Sequence, residues 1–284
     1  MKNKTGKILF TALIIVTAAA GSLILLRTHH RSETYKKAIA YVESGRLQSA
    51  YELFQTLGRY KNSSEFAKAL LEQDPTLSCL SAQKGDRVLF GHYEQDNDLT
   101  NGAEPIEWLV LERLDGQLLL LSSEGLDGKP YHTVPFAEIT WEECSLRAWL
   151  NEEFFRTAFT AKEQSFIPAV TNQNKDQSAV GTEGGADTID RVFLLSEADT
   201  SVYLNTEIDQ ETVGKTYATK YAENRNVETN EEGYISWWLR SPGVYPYSAQ
   251  FVDQDGKLYL SGAYVDIDYQ FAVRPAIWLD LNKQ

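Results

Sequence analysis

The order of apolar and polar positions divides the chain into three stretches, and the first is a long uncharged run. Residues 8–26 contain no charged side chain, and lysines precede the run. As a helix rising about 1.5 Å per residue, this run nearly matches a hydrocarbon core of about 30 Å. It predicts a transmembrane helix behind a cytoplasmic tail of residues 1–7. A cleaved signal peptide is the alternative, but the apolar run continues past the small residues that would suit cleavage.

The second stretch, residues 34–73, has the spacing of short amphipathic helices. Ala38 and Tyr41 recur on one face, and Ala50 and Phe54 lie four apart after a glycine. This spacing after a glycine turn resembles the second helix of a tetratricopeptide unit. Such arrays need about three repeats to be stable. The stretch therefore predicts a short α-helical hairpin that serves as a stalk or an oligomerisation surface.

The third stretch, residues 84–281, changes to a period of two, which is typical of strands. Asp255-Gly256 lies between two such segments and predicts a hairpin. Thr-x-x-Glu capping boxes that begin at Thr140 and Thr160 predict two helices within the series. The expected fold is α+β, an antiparallel sheet with a helical insert. The predicted strands are residues 87–90, 106–111, 118–121, 191–195, 237–239, 248–252, 258–260 and 271–277.

Charge is distributed unevenly along the chain. Residues 1–37 carry seven basic and one acidic side chain, whereas residues 75–284 carry 16 basic and 34 acidic ones. The acidic body would repel a phosphate backbone, so no nucleic-acid partner is expected. The basic end suits anionic lipid, which fits the predicted membrane anchor.

The residues that could carry catalysis or metal binding are few. Cys144 and His132 suggest a thiol and its base, but Cys144 falls within a predicted amphipathic helix, where a small buried residue is normal. The spacing around Asp96 resembles a calcium loop, but Asn101 stands where that loop needs glycine, so a solvated hairpin loop is favoured. We expect two free buried thiols, no catalytic residue, no metal and no cofactor. These observations favour a binding protein over an enzyme.

Four motifs occur in order in the third stretch. They are residues 145–151 (SLRAWLN), 190–196 (DRVFLLS), 237–243 (WWLRSPG) and 273–276 (VRPA). The series resembles the bacterial family called domain of unknown function 6273, over about residues 84–281. The closing strands are similar to the C-type-lectin-like fold shared with formylglycine-generating enzymes. That likeness implies a fold only, because those enzymes use a cysteine pair near the end of the domain and none follows Cys144 here.

The tryptophans and arginines of these motifs are expected to be structural. Each tryptophan would pack in the core, and each arginine would pair with a carboxylate or with backbone carbonyls. Because successive residues of a strand point to opposite faces, at most one of the adjacent tryptophans is expected to be wholly buried. The residues are Arg147, Trp149, Trp237, Trp238, Arg240 and Arg274.

A cluster of tyrosines and aspartates near the end of the chain is the candidate ligand surface. Tyrosine offers a flat apolar face and a hydroxyl, and carboxylates accept hydrogen bonds from sugar hydroxyls or ammonium groups. Ordinary strand tyrosines and solvated turns are the alternative. The candidate residues are Tyr245, Tyr247, Asp253, Asp255 and Tyr264.

Together these features predict a single-pass protein of the cell membrane with an extracytoplasmic, noncatalytic recognition domain for a glycan, cell-wall fragment or peptide. One alternative is an enzyme that uses the polar segment of residues 171–188 and Asp190. The other is a scaffold that binds protein partners through the helical stalk.

Overall fold

The computed structural model describes residues 28–204, 207–208, 211–266 and 271–283. The chain divides into two compact units, Met1–Leu80 and Ser81–Gln284. We call them the helical unit and the α+β unit.

The membrane part of the predicted fold needs correction. The predicted transmembrane helix at residues 8–26 and the tail at residues 1–7 lie outside the described residues. Within the described part of the chain, no helix is both long and apolar enough to cross a membrane. This finding does not support the transmembrane helix, the single-pass topology, or the cell-membrane localisation with its extracytoplasmic domain, and these predictions are withdrawn.

In the described part of the helical unit, residues 28–80, three helices surround a small core. The helices are α1 (residues 28–43), α2 (Leu47–Leu57) and α3 (Ser63–Gln73). Ala38, Ala50 and Phe54 are fully buried where the helices meet. Phe54 stacks on Phe66 of α3 with 5.0 Å between ring centroids, so aromatic packing joins the second and third helices.

The α+β unit contains antiparallel sheets and several short helices, which is the predicted α+β arrangement without the membrane helix. One five-stranded sheet has the order β1-β2-β3-β14-β7, and the other has the order β12-β11-β10-β13-β4. Two-stranded ladders join β5 to β6 and β8 to β9. The pairing of β10 with β13 is parallel and the other paired strands are antiparallel. The strands are β1 (Arg87–Tyr93), β2 (Glu104–Leu114), β3 (Gln117–Ser122), β4 (Asp127–Lys129), β5 (Val170–Asn172), β6 (Thr188–Asp190), β7 (Val192–Phe193), β8 (Glu207–Ile208), β9 (Glu211–Thr212), β10 (Trp237–Pro242), β11 (Ser248–Val252), β12 (Leu258–Tyr264), β13 (Phe271–Val273) and β14 (Ala276–Asp280).

The helices of this unit lie mostly between β4 and β10. They are α4 (Ser145–Trp149), a π-helical turn (Leu150–Phe154), α5 (Phe155–Ala158), α6 (Ala161–Phe166), α7 (Glu197–Tyr203) and α8 (Lys220–Asn224). The Thr160 capping box begins α6 as predicted. The prediction that the Thr140 box begins a helix is wrong, because α4 begins at Ser145 with Cys144 as its N-cap. Sγ of Cys144 accepts the Arg147 backbone N–H at 3.4 Å.

Trp237 and Trp238 are both fully buried, so the expectation that only one would be is wrong. Both lie on β10, the middle strand of its sheet, and both faces of the sheet are covered there. Each indole also has a hydrogen-bond acceptor, because Nε1 of Trp237 donates to the Gly214 carbonyl and Nε1 of Trp238 to the Lys129 carbonyl, each at 2.9 Å. A strand that is covered on both faces can carry a continuous run of apolar residues. The alternation of apolar and polar residues then no longer predicts which of them are buried.

Gly91 in β1 is required by close packing against the helical insert. Its φ is +72°, and a Cβ there would lie 2.6 Å from the Phe159 ring and 2.8 Å from the Ala158 carbonyl oxygen. We expect Gly91→Ala to lower the free energy of unfolding by about 2–4 kcal/mol, since backbone strain adds to overpacking. Urea unfolding measures this loss.

Gly102→Ala is the matched control, because its φ is +90° and a Cβ there would meet nothing within 4 Å. Gly102→Ala should lower the free energy of unfolding by the backbone strain alone, about 1–2 kcal/mol. Equal losses for the two variants would contradict the packing role of Gly91.

Candidate functional site

Four aromatic side chains of the α+β unit form an exposed cluster, which we call the aromatic platform: Phe136, Tyr245, Tyr247 and Tyr264. The rings of Tyr245 and Tyr247 are nearly parallel, at 5°, with centroids 5.3 Å apart. Tyr264 lies 5.8 Å from Tyr247, and Phe136 lies 5.7 Å from Tyr264 and 6.4 Å from Tyr247. Phe136 is 66% exposed, Tyr245 53% and Tyr264 49%. The platform thus brings together the three tyrosines that the sequence nominated.

The backbone of Phe136 is strained where its ring joins the platform. Its φ is +52°, in the left-handed region that bulky residues avoid. The ring gains little burial in exchange, because most of it faces solvent. Strain that is not repaid by burial is typical of residues whose position serves a function.

The backbone beneath the platform is fixed by hydrogen bonds to neighbouring segments. The Val244 N–H donates to the Ser261 carbonyl at 3.0 Å, and the Val265 N–H donates to the Tyr247 carbonyl at 3.1 Å. These bonds tie the link between β10 and β11 to strand β12 and the residue after it. The tyrosines are therefore held in place before any ligand arrives, which lowers the entropy lost on binding.

The two aspartates predicted to join this surface lie elsewhere. Asp253 and Asp255 occupy the turn of the β11–β12 hairpin, whereas Tyr264 pairs with Ser248 at the hairpin's other end. The Asp253 carboxylate accepts the backbone N–H groups of Asp255 and Lys257, so it stabilises the turn. The carboxylate beside the platform is that of Asp266, which accepts the Phe136 N–H at 3.4 Å.

Cys144 does not have the geometry of a nucleophile. Both cysteines are free and buried, as predicted, and burial raises the pKa of each thiol to about 12. The Nδ1 atom of His132 accepts the Ser145 backbone N–H at 3.2 Å, so this nitrogen is engaged at the start of α4. A protonated thiol is a poor nucleophile, because the thiolate is the reactive species.

We therefore expect neither Cys79 nor Cys144 to react with iodoacetamide in the native protein at mildly alkaline pH. Both should react once guanidinium chloride unfolds the chain. Mass spectrometry after timed alkylation measures the modification. Rapid native labelling of Cys144 would contradict its buried, protonated state.

The region that resembles a calcium loop is occupied by internal hydrogen bonds. The Asp96 carboxylate accepts the Asp98 N–H and the Asn101 side-chain amide, each at 2.8 Å. Glu107 lies eleven residues after Asp96, near where such a loop ends in a glutamate ligand, and it pairs instead with Arg87. Carboxylate oxygens of Glu94, Asp96 and Glu104 lie within 4.8 Å of one another in the described part, but exposed acidic groups commonly cluster without a metal.

Asp190 is a buried anchor for the helical insert. Its Oδ1 accepts from Nε of Arg147 at 2.6 Å. Its Oδ2 accepts from Trp141, Asn172 and Thr188 side chains at 3.1, 2.9 and 2.7 Å. The carboxylate is 1% exposed and is engaged by four donors from within the fold, which gives Asp190 a structural role.

The remaining motif side chains also have partners inside the fold. Arg274 donates to the carbonyls of Ser122 and Val213 at 2.8 and 2.7 Å, and burial lowers its pKa to about 9. Nη1 of Arg240 donates to the Leu194 carbonyl at 2.7 Å and to Asp199 at 2.8 Å. Trp149 is half-buried beneath Lys129, whose Nζ is 4.4 Å from the ring centroid, and its Nε1 is buried without a hydrogen-bond partner.

The fold and platform define an α+β domain with an exposed, preorganised aromatic surface. The chain belongs to the family described as domain of unknown function (DUF6273), whose model matches residues 115–281. This confirms the family resemblance seen in the four motifs. No curated protein matches the chain, and no solved structure does either. The C-type-lectin-like fold therefore stays a prediction.

Proposed function

We propose that the α+β unit is a carbohydrate-recognition module that binds its ligand on the aromatic platform and leaves it chemically unchanged. The observation that carries the proposal is the cluster of four rings, of which Phe136, Tyr245 and Tyr264 are exposed and Tyr247 contacts all three, with Phe136 in a left-handed backbone conformation. Singly exposed aromatics need no explanation, but a contiguous apolar patch rimmed by polar groups is typical of a binding site.

The chemistry of the platform suits a sugar. Aromatic faces can cover the apolar C–H faces of a pyranose ring, and the ring hydroxyls then need polar partners at the edge. Among the described residues, no hydrogen bond engages the hydroxyls of Tyr245, Tyr247 or Tyr264. These hydroxyls and the Asp266 carboxylate supply donors and acceptors.

Charge narrows the class of carbohydrate. Residues 75–284 carry 16 basic and 34 acidic side chains, and Asp266 lies beside the platform. An anionic glycan would be repelled by this field, whereas a neutral one would not. The proposed ligand is therefore a neutral oligosaccharide or polysaccharide.

A glycan array with neutral and sulfated members tests the proposal. The purified full chain should bind neutral glycans, and the double variant Tyr245→Ala/Tyr247→Ala should lose that signal because the parallel pair is removed. Tyr259→Ala is the matched control, since Tyr259 is an exposed tyrosine of the same hairpin that stacks on Phe251 outside the platform. A blank array, a preference for sulfated glycans or basic peptides, or full binding by the double variant would overturn the proposal.

A further inference from the structure

A cavity of about 560 Å³ lies in the α+β unit between α7 and the segment that follows β5, away from the platform residues. Small-molecule sites commonly enclose about 300–1,000 Å³, so the cavity is of suitable size. One wall is apolar and includes Phe193, Leu195 and Trp278. The lining also carries two cations and three carboxylates, and this mixture of charge determines which ligands can bind.

Arg240 is the buried cation of the lining, and part of its guanidinium makes no hydrogen bond. The residue is 7% exposed and lines the cavity. Nη1 makes both of its hydrogen bonds, to the Leu194 carbonyl and to Asp199. Nε is buried without a hydrogen-bond partner, and Nη2 has none among the described residues. Because Nε is buried, Nη2 is the guanidinium nitrogen left to donate a charge-assisted hydrogen bond to a ligand carboxylate.

Gln250, which does not line the cavity, is a second buried side chain with an unpaired polar atom. It is fully buried, and its Nε2 donates to Glu197 at 2.8 Å, while its Oε1 has no hydrogen-bond partner. An unpaired acceptor therefore lies on β11, the strand beside that of the unpaired Arg240 donor. Buried polar groups are rarely left unpaired in native proteins, so each such group calls for a partner.

The carboxylates of Asp176, Glu197 and Asp199 line the same cavity. With Lys175 and Arg240 as the lining cations, the lining has one negative charge more than it has positive charges. A simple anion would therefore be attracted by the Arg240 guanidinium but repelled by the three carboxylates. A ligand with both a carboxylate and an ammonium group satisfies both sides, since opposite charges are favourable only where each is paired.

We propose that this cavity is a second, separate site that binds an α-amino acid with an apolar side chain. The ligand carboxylate accepts from Nη2 of Arg240, its ammonium group faces Glu197 and Asp176, and its side chain packs on the wall with Trp278. The site is distinct from the proposed carbohydrate site, because none of its lining residues belongs to the platform.

Isothermal titration of the full chain with L-leucine and L-phenylalanine tests the class of ligand. We expect at least one of them to bind. 4-Methylpentanoate, which lacks the ammonium group of leucine, and 3-methylbutylamine, which lacks its carboxylate, should bind at least tenfold more weakly. No heat with either amino acid, or equal binding of leucine and its two analogues, would overturn the proposal.

Two variants test the assigned contacts. Arg240→Lys keeps the charge but loses the planar guanidinium that carries the Nη2 donor, and Glu197→Gln loses the partner of the ammonium group. Each should weaken binding of the better amino acid at least fivefold, whereas the exposed control Glu231→Gln should not change it. If Arg240→Lys fails to fold, Glu197→Gln decides alone, and unchanged binding by Glu197→Gln would overturn the site. The glycan signal should persist in every folded variant, which separates this proposal from the platform.

Discussion

Replacing Asp190 by alanine is expected to lower the free energy of unfolding by about 3–5 kcal/mol, because the change leaves the Arg147 charge without its buried partner. The carboxylate is 1% exposed and also accepts hydrogen bonds from Trp141, Asn172 and Thr188. The loss of all four bonds would separate the helical insert from the β5–β6 hairpin. Urea unfolding followed by tryptophan fluorescence measures the effect.

Asp255→Ala serves as the control for a surface aspartate. Asp255 lies in the hairpin turn, and its ion pair with Lys257 is exposed, with 3.5 Å between the charged atoms. Exposed pairs contribute about 0–1 kcal/mol, so this variant should unfold almost like the wild type. A loss below about 1 kcal/mol for Asp190→Ala would contradict the anchoring role, since breaking a buried pair costs several times more.

Replacing Phe136 by glycine should weaken glycan binding about tenfold while leaving stability unchanged or higher, since one aromatic contact contributes about 1 kcal/mol or more. The ring is 66% exposed, so little apolar burial is lost. Glycine adopts a φ of +52° without strain, which favours the folded state. Titration with the best glycan from the array and thermal unfolding measure the two quantities.

Asn226→Gly is the matched control for this prediction. Asn226 also has a positive φ, +66°, and is exposed outside the platform. It should change stability little and leave glycan affinity unchanged. A marked destabilisation by Phe136→Gly together with unchanged affinity would mean that the ring serves packing, and the platform would lose one of its four members.

The sequence predicted the elements whose signals are local. Asp255-Gly256 lies at the turn between β11 and β12, because turn chemistry is determined by neighbouring residues. The Thr160 box begins α6 for the same reason. The similar Thr140 box does not begin a helix, because the Cys144 thiol caps α4 instead. Local patterns thus predicted most strands but not every boundary.

The candidate site was predicted in part, because its assembly depends on contacts that are distant in sequence. Tyr245, Tyr247 and Tyr264 lie close together in the chain, and the hairpin brings them together. Phe136 comes from a segment more than a hundred residues earlier, and no local pattern places it against Tyr247. Asp253 was assigned wrongly to this surface, because closeness in sequence does not show which end of a hairpin a residue occupies.

The burial of adjacent tryptophans shows a second limit of local patterns. Period-two alternation assumes one solvated face, whereas both faces of β10 are covered. Burial of Trp238 depends on neighbours such as Phe271, whose ring centroid is 4.6 Å away. Such contacts depend on the order of strands in the sheet, and the sequence does not contain that order in any short window.

The most direct test of the platform is aromatic ¹³C NMR of the full chain during titration with the best glycan from the array. We predict that chemical shifts change at Phe136, Tyr245, Tyr247 and Tyr264, while the control ring of Tyr259 stays unchanged. Shifts confined to other rings, such as Trp278 at the Arg240 cavity, would contradict the account of the platform as the carbohydrate site.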